Sequence, residues 1–243
     1  MIPKDILLET GRRKGLTTKD HIEKDYFQEV ALSAIFRKTN SLVFKGGTAL
    51  YKIYKLPRFS EDLDFSVIGD INAKDLIEEI AKSISCEVKT VKQMKGSVIA
   101  KLAFKGVLTH ENTLRLDISL KNEVMRGFDV KQHVPDYIDI NPFTLRVMKL
   151  EEIIAEKVHS IFARTKARDL YDLFFLLRLS DFNPELISAK LRQFGIKLDV
   201  ALLTRRINGL SSLWEKELRP FIFGEVPDYK VVRDFVLGKV RGV

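Results

Sequence analysis

KGGTALYKIYKLPRFSEDLDF, residues 45–65, carries the most informative pattern of this sequence. It opens with the paired glycines Gly46 and Gly47 and closes with two aspartates, Asp62 and Asp64, that are one residue apart. The apolar residues around these positions predict a strand, a glycine turn, a short helix, a basic linker and a second strand. Because successive side chains of a strand point to opposite faces, we expect the two carboxylates to share the face opposite the core.

Paired carboxylates on a rigid element are how proteins commonly hold Mg²⁺, or Mn²⁺ in its place, for phosphoryl transfer. The glycines fit this chemistry, since they precede Thr48, a candidate cap of the helix ALYKIYKL. A glycine turn before a helix exposes backbone N–H groups and lets a phosphate approach closely. We therefore predict a nucleoside triphosphate (NTP) at Gly46, Gly47 and Thr48, with metal at Asp62 and Asp64. A paired glycine alone is usually a turn, and a lone DxD is usually an exposed strand face, so the combination carries this prediction.

The fuller string FKGGTALYKIYKLPRFSEDLDF resembles the first motif of the DNA polymerase β-type nucleotidyltransferase superfamily. It resembles one branch more closely, the AbiEii/AbiGii toxin-type nucleotidyltransferases, which are the toxin halves of abortive-infection and toxin–antitoxin pairs. Lys45 before the glycines, and Arg58 and Ser60 before the aspartates, carry this second resemblance. The resemblance implies nucleotide-binding roles for these three residues and a cognate antitoxin as a protein partner.

A third candidate carboxylate is Asp117, in the run TLRLDISL at residues 113–120. Its leucines and isoleucine alternate with polar residues, which predicts a strand with Asp117 on the polar face. Two-metal phosphoryl transfer commonly uses a third carboxylate, which bridges a metal and accepts the proton of the attacking hydroxyl. In the polymerase β-type fold, that group comes from a strand beside the DxD strand, so we predict Asp117 as metal ligand and base. The alternative is an ordinary exposed aspartate.

The rest of the toxin-type signature matches residues in the C-terminal part, which reads as helical from about Leu145. Lys157 lies on the first of these helices, and Arg168, Asp169 and Asp172 begin the next. The resemblance implies that Lys157 contacts nucleotide phosphate, that Asp172 or Asp169 holds the active-site network, and that Arg168 assists binding. A lysine suits developing phosphate charge because its positive charge is concentrated. The alternative is a surface ion-pair network, with Arg168 and Asp172 paired at i, i+4.

The N-terminal 40 residues predict two helices, one over Asp5–Thr10 that ends near Gly11 and one from about Thr18 to Lys38. The string EKDY, residues 23–26 in the second helix, also resembles the toxin-type family. Charges of this kind on a helix normally form a solvated face, and we predict no catalytic role for them.

Basic residues recur outside the motifs. The turn KGS at 95–97 predicts a hairpin whose strands interleave apolar residues with Lys89, Lys92, Lys95, Lys101 and Lys105. Arg205, Arg206, Lys216 and Arg219 form a second basic group in the helical tail. The hairpin lysines are a candidate basic face or edge of the sheet, and the tail group is a candidate face toward RNA. Ordinary solvent-side charges are the alternative reading for both.

Composition limits the class of protein. The chain has 243 residues, of which 45% are hydrophobic and 30% charged, which is typical of a globular protein. No apolar run approaches the roughly 20 residues needed to span a bilayer, and the N-terminus lacks an apolar signal core, so we expect a cytoplasmic protein without membrane partners. One cysteine, Cys86, excludes an internal disulfide. The net charge of +8 favours a polyanionic partner.

Together these patterns predict an α/β (α+β) fold, with a small mixed sheet flanked by helices in residues 1–145 and a helical lobe in residues 146–243. The predicted reaction is Mg²⁺-dependent attack of an acceptor hydroxyl on the α-phosphate of an NTP, by a toxin for which RNA such as tRNA is a plausible acceptor. One alternative is an NTP-binding phosphotransferase or kinase-like protein on the same scaffold. Another is a non-catalytic basic RNA- or protein-binding module, which an Asp117 facing away from Asp62 and Asp64 would support.

Overall fold

A seven-stranded sheet is the centre of the first of two structural units. The computed structural model describes residues 2–121 and 124–241. The first unit comprises residues 1–55 and 59–148, and the second comprises residues 56–58 and 149–243. The short segment 56–58 therefore belongs to a different unit from the residues on either side of it.

The strands of the first unit are β1 (Leu42–Lys45), β2 (Leu63–Val67), β3 (Glu87–Met94), β4 (Ser97–Phe104), β5 (Asn112–Ser119), β6 (Phe128–His133) and β7 (Phe143–Met148). Its helices are α1 (Lys4–Arg13), α2 (Lys19–Lys38), α3 (Gly46–Lys52) and α4 (Ala73–Ser83). The strand order is β3-β4-β5-β2-β1-β7-β6. The pairs β2–β5 and β1–β7 are parallel and the other neighbours are antiparallel. The predicted mixed α/β fold is confirmed.

One face of the sheet is core. Alternate residues of β5, namely Leu114, Leu116 and Ile118, are buried, as the hydrophobic alternation predicts. Helix α2 packs against β5 and β7, and α4 packs against β3 and β4. The β3–β4 hairpin turns at Lys95 and Gly96, as predicted.

Helix α2 begins where its capping residue predicts, because the Thr18 hydroxyl accepts a hydrogen bond from the backbone N–H of His21 at 3.1 Å. Helix α1 differs from the prediction, since it continues to Arg13 instead of ending near Gly11. A Cβ at Gly11 would lie 2.5 Å from Cγ1 of Ile22. The glycine therefore serves the close packing of α1 on α2, and does not end the helix.

The second unit is helical. Its helices are α5 (Leu150–Ala163), α6 (Ala167–Leu176), α7 (Pro184–Arg192), α8 (Val200–Asn208), a 3₁₀ turn (Ser211–Leu213), α9 (Trp214–Leu218) and α10 (Tyr229–Arg241). Helix α7 is capped by Asn183, whose side chain accepts a hydrogen bond from the N–H of Leu186, and Pro184 occupies the first helical position. Within the described ranges, no helix has the length and apolar character to cross a membrane.

The helix predicted from about Leu145 starts at Leu150 instead. Residues 143–148 form strand β7, in which Phe143, Leu145 and Val147 are buried on one face. The prediction was wrong here because the same apolar residues also fit a helical stripe that runs on into α5. Their antiparallel pairing with β6 along the whole strand, together with the parallel pairing of Val147 with Phe44 of β1, decides in favour of the strand.

Candidate active site

Asp64 and Asp117 lie beside each other on adjacent parallel strands. Asp64 of β2 is in register with Asp117 of β5 on one side and with Lys45 of β1 on the other. Register partners project to the same face of a sheet, on strands about 4.8 Å apart. The Asp117 side chain is 25% exposed, and one of its carboxylate oxygens accepts a hydrogen bond from Arg115 at 3.2 Å. Asp117 therefore shares a face with Asp64 and does not point away from it.

Asp62 lies just before β2, which begins at Leu63, so the predicted strand position holds for Asp64 but not for Asp62. The backbone carbonyl of Asp62 accepts a short hydrogen bond from the Thr48 hydroxyl. Thr48 is therefore not the predicted helix cap. Helix α3 already begins at Gly46, with Lys45 at the capping position, and the buried Thr48 side chain ties this helix to the start of β2.

Gly46 passes directly over Asp64. Its φ of 73° lies in the left-handed region, which favours glycine. A Cβ at this position would lie 2.8 Å from Cγ of Asp64, so any side chain here would displace the carboxylate. Gly47 is the second residue of α3 and is buried. The paired glycines thus bring backbone against the Asp64 carboxylate.

Gln28 of α2 holds the segment in front of the aspartates, and the sequence analysis did not identify it. Its amide nitrogen donates hydrogen bonds to the backbone carbonyls of Ser60, at 2.7 Å, and Glu61, at 2.9 Å. Lys24, one turn earlier, bonds the Glu61 carboxylate at 3.0 Å. The Gln28 side chain is fully buried. The available signal was an uncharged polar residue on the apolar side of α2, next to Phe27.

Arg58, Lys157, Asp169 and Asp172 form a buried ion cluster in the second unit. Arg58 donates two hydrogen bonds to the two carboxylate oxygens of Asp172, each of 2.6 Å. Lys157 lies 2.6 Å from Asp172 and 3.1 Å from Asp169. All four residues are buried. The predicted alternative of a surface ion-pair network is therefore wrong for the two aspartates.

Electrostatics keep the buried ion cluster charged. Burial disfavours the carboxylate of Asp172, but Arg58 and Lys157 outweigh it and hold its pKa below the ordinary value. Burial also disfavours the carboxylate of Asp169, but Lys157 and Arg164 outweigh it and lower its pKa to about 2. Burial alone would lower the pKa of Lys157, yet the charges of Asp172 and Asp169 raise it. Arg168, the remaining predicted residue, lies 4.7 Å from the ring centroid of Phe221.

The predicted site residues therefore fall into two groups. The first unit holds Lys45, Gly46, Gly47, Thr48, Ser60, Asp62, Asp64 and Asp117, and the second holds Arg58, Lys157, Arg168, Asp169 and Asp172. The model of the family described as "Nucleotidyl transferase AbiEii toxin, Type IV TA system" matches residues 31–233. The chain belongs to the AbiEii nucleotidyltransferase toxin family. Its members are the toxins of toxin–antitoxin pairs, so membership implies a nucleotide substrate and a cognate antitoxin.

Solved structures agree with the AbiEii fold. MenT4, a nucleotidyltransferase toxin from Mycobacterium tuberculosis, is similar with a TM-score of 0.71 and 19% identity, over 96% of this chain and 87% of that one. JHP933 from Helicobacter pylori is similar with a TM-score of 0.63 and 24% identity, over 92% of this chain and 91% of that one. At these identities, the likeness extends to the fold alone. None of the curated protein sequences compared with the chain matches it.

The EKDY string of this AbiEii chain was predicted to be a solvated face, and that prediction is wrong. Glu23 and Asp25 are both buried. The Glu23 carboxylate accepts hydrogen bonds from the backbone N–H groups of Val107 and Leu108, in the β4–β5 connection. Glu23 therefore fixes a loop that leads into the strand of Asp117.

Asp25 of α2 holds helix α3 in place through buried polar contacts. Its carboxylate accepts hydrogen bonds from Lys52, at 2.8 Å, and Tyr137, at 2.6 Å, and pairs with Lys14 at 2.8 Å. Burial disfavours its charge, but the lysines prevail and hold the pKa of Asp25 well below the ordinary value. Glu29, one turn later, bonds Lys52 at 3.1 Å. The string thus has a structural role in this unit.

The sheet carboxylates, Asp64 and Asp117, are the donor set that fits a metal ion. Across residues 2–121 and 124–241, no three His, Cys, Asp or Glu side chains are grouped as a metal centre on their own. Mg²⁺ is usually bound through one or two carboxylates together with substrate phosphates and waters. Two carboxylates in register beneath Gly46 match the protein's share of that mode of binding.

Proposed function

We propose that this AbiEii-family toxin transfers a nucleoside monophosphate from an NTP to a hydroxyl group of an RNA acceptor, with Mg²⁺ or Mn²⁺ as cofactor. The observation that carries the proposal is the register of Asp64 with Asp117, beneath the left-handed Gly46. These elements supply both things the reaction needs, which are a carboxylate pair and an adjoining backbone surface without side chains.

Asp64 and Asp117 would hold the metal ion, with Asp62 joining them as the predicted third ligand when metal and triphosphate are bound. Gly46 and Gly47 would contact the triphosphate through their backbone. Bound at these carboxylates, the metal would neutralise charge on the phosphate oxygens and favour ionisation of the attacking hydroxyl. Thr48 holds the Asp62 backbone in place relative to the glycines, since its hydroxyl bonds that carbonyl. Lys157 remains the family-based prediction for a phosphate contact.

Asp117 is the proposed general base. It is partly exposed and its proton-accepting oxygens face the side of the sheet that carries Asp64. The acceptor oxygen would attack the α-phosphorus as its proton passes to Asp117, and the bond from phosphorus to the bridging oxygen would break, releasing pyrophosphate. Arg115, which pairs with Asp117, would keep this carboxylate oriented before the acceptor arrives.

Cytoplasm is the proposed location, because NTP and RNA are both available there. Antitoxin binding would then be the means of restraining an enzyme that has its substrates always at hand. The alternative of a non-catalytic module gains no support from Asp117, which shares a face with Asp64.

The test is incubation of the purified protein with Mg²⁺, total tRNA and each NTP in turn, labelled at the α- or at the γ-phosphate. We expect α-label in RNA from one NTP, reduced by at least about 100-fold in Asp64→Asn and Asp117→Asn. Asp129→Asn, which removes a partly exposed aspartate from strand β6, is the matched control and should label RNA like the wild type.

Three results would contradict the proposal in different ways. Transfer of γ-label without α-label would identify a kinase-like phosphotransferase. Binding of NTP and Mg²⁺ with no transfer of either label would identify a binding module. An equal reduction in the Asp129→Asn control would show that the aspartates act through the fold and not through the reaction.

A further inference from the structure

Three basic side chains lie on the same face of the sheet as the carboxylates. We infer that Lys92 of β3, Lys101 of β4 and Arg115 of β5, here called the basic strip, bind the phosphate backbone of the acceptor RNA. This inference rests on the proposed function, because it names the surface along which the acceptor of that reaction lies.

The strand register places the basic strip on this face. Lys92 pairs with Ile99, which pairs with Asp117, which pairs with Asp64. Lys101 pairs with Arg115 in the neighbouring row. Since register partners share a face, all three cations project to the side of the carboxylates and away from the core. Lys92 is three strand spacings from Asp64, which is about 14 Å.

The order of residues across the sheet separates the two reactants. It runs Lys45, Asp64, Asp117, Ile99 and Lys92, from β1 to β3. The glycines follow Lys45 directly, so the proposed triphosphate site adjoins the β1 end of this row. The basic strip lies at the other end, beyond Asp117. A polyanion there would bring its reacting hydroxyl to the proposed base from the side opposite the triphosphate.

Exposure and charge indicate a phosphate ligand. All three side chains of the basic strip are exposed. Lys92 and Lys101 make no ion pair with any residue of the described ranges, whereas Lys89 on the same strand pairs with Glu87 at 2.9 Å. Exposed lysines without carboxylate partners bind a phosphate backbone without sequence preference, by releasing its counterions. The positive net charge of the chain favours the same class of partner.

The experiment measures binding of a fluorescein-labelled, mixed-sequence, single-stranded 12-mer RNA to the full chain, by anisotropy at several salt concentrations. The variant is Lys92→Ala with Lys101→Ala, which spares Arg115 because that residue contacts Asp117. The matched control is Lys74→Ala with Lys82→Ala, which removes the same charge from exposed positions of helix α4. For single strands, the slope of log K against log salt falls by about 0.7 for each phosphate that the protein no longer neutralises.

We expect the strip variant to bind the RNA roughly tenfold more weakly, with a salt slope smaller by about 1.4, because two phosphates are no longer neutralised. Its affinity for NTP should be unchanged, and in the transfer assay its KM for tRNA should rise while its KM for NTP stays the same. The control should match the wild type. Since the binding assay requires no transfer, RNA binding that depends on the strip in a protein that transfers no label would refute the proposed function alone.

Other outcomes would overturn the inference. Unchanged RNA binding in the strip variant would do so, even with transfer intact. Equally weakened RNA binding in the control would show that the effect comes from net charge alone. A weaker affinity of the strip variant for NTP would show that the basic strip binds the triphosphate instead. Polyglutamate that competed with the RNA at equal charge concentration would indicate an acidic protein as the ligand, and failure of the wild type to bind RNA would reject the surface altogether.

Discussion

Two pairs of aspartates in this chain have opposite environments. Asp64 and Asp117 are partly exposed on a sheet face, whereas Asp169 and Asp172 are buried and in contact with Arg58 and Lys157. The family signature contains both kinds of residue. The comparison teaches that a signature can include carboxylates whose oxygens remain available to a ligand and others whose oxygens are already used to hold the protein together.

The largest expected difference between the two pairs is in stability. Asp172→Asn should lower the free energy of unfolding by about 3–5 kcal/mol, because it removes the carboxylate that pairs with buried Arg58 and leaves buried Lys157 with Asp169 alone. Asp64→Asn should change it by less than about 1 kcal/mol, as is usual for partly exposed positions. Urea denaturation of the two variants beside the wild type measures both values. Equal destabilisation would refute the contrast.

A smaller effect is expected from the support behind the sheet carboxylates. Gln28→Leu leaves the carbonyls of Ser60 and Glu61 without their buried donor, at a cost of about 1–3 kcal/mol in stability. It should also lower kcat for nucleotide transfer by roughly 10- to 100-fold, with KM for NTP little changed, because the segment before Asp62 is less well positioned.

Gln193→Leu is the matched control for that substitution. The side-chain amide of Gln193 is also buried, but within the described ranges it makes no hydrogen bond. Stability and kcat should therefore both be close to the wild type. A Gln28→Leu protein that was less stable but kept its kcat would restrict Gln28 to a structural role.

The last effect, which is similar in size to the loss of stability in Gln28→Leu, appears only in acid. The pKa of Asp169 is lowered from 3.8 to about 2 in the folded protein. A carboxylate of this kind contributes stability fully above its unfolded pKa, and the contribution is lost as pH falls through the folded pKa. About 2 kcal/mol should therefore disappear between roughly pH 4 and pH 2. In Asp169→Asn, stability measured by circular dichroism should fall less over that interval, and an unchanged profile would contradict the assignment.

Much of the fold was predictable because its signals are local. Thr18 and Asn183 cap the helices that follow them, and the alternation in β5 places Asp117 on the correct face. Strand β7 was not predictable in the same way, since its residues also fit a helix and its pairing with β6 and β1 decides between them. Local patterns fail wherever a distant partner determines the structure.

The candidate site likewise contains some features that could be predicted from local patterns and others that could not. The polar face of Asp117 could be anticipated from the alternation of its strand, and its position beside the DxD strand from the family resemblance. The partners of Arg58, Gln28 and Asp25 could not be anticipated, because each partner is far away in sequence. In addition, charged or polar residues on a helix or linker are usually solvated. The sequence pattern gives no sign that these particular side chains are buried.

The place of Arg58 in the chain has a consequence for synthesis. Its partner Asp172 follows 114 residues later. At translation rates of about 5–20 residues per second, the ribosome needs roughly 6–23 seconds to make that stretch. During this interval the nascent chain contains an arginine whose buried position cannot yet exist, so the second unit can be completed only after translation has passed Asp172.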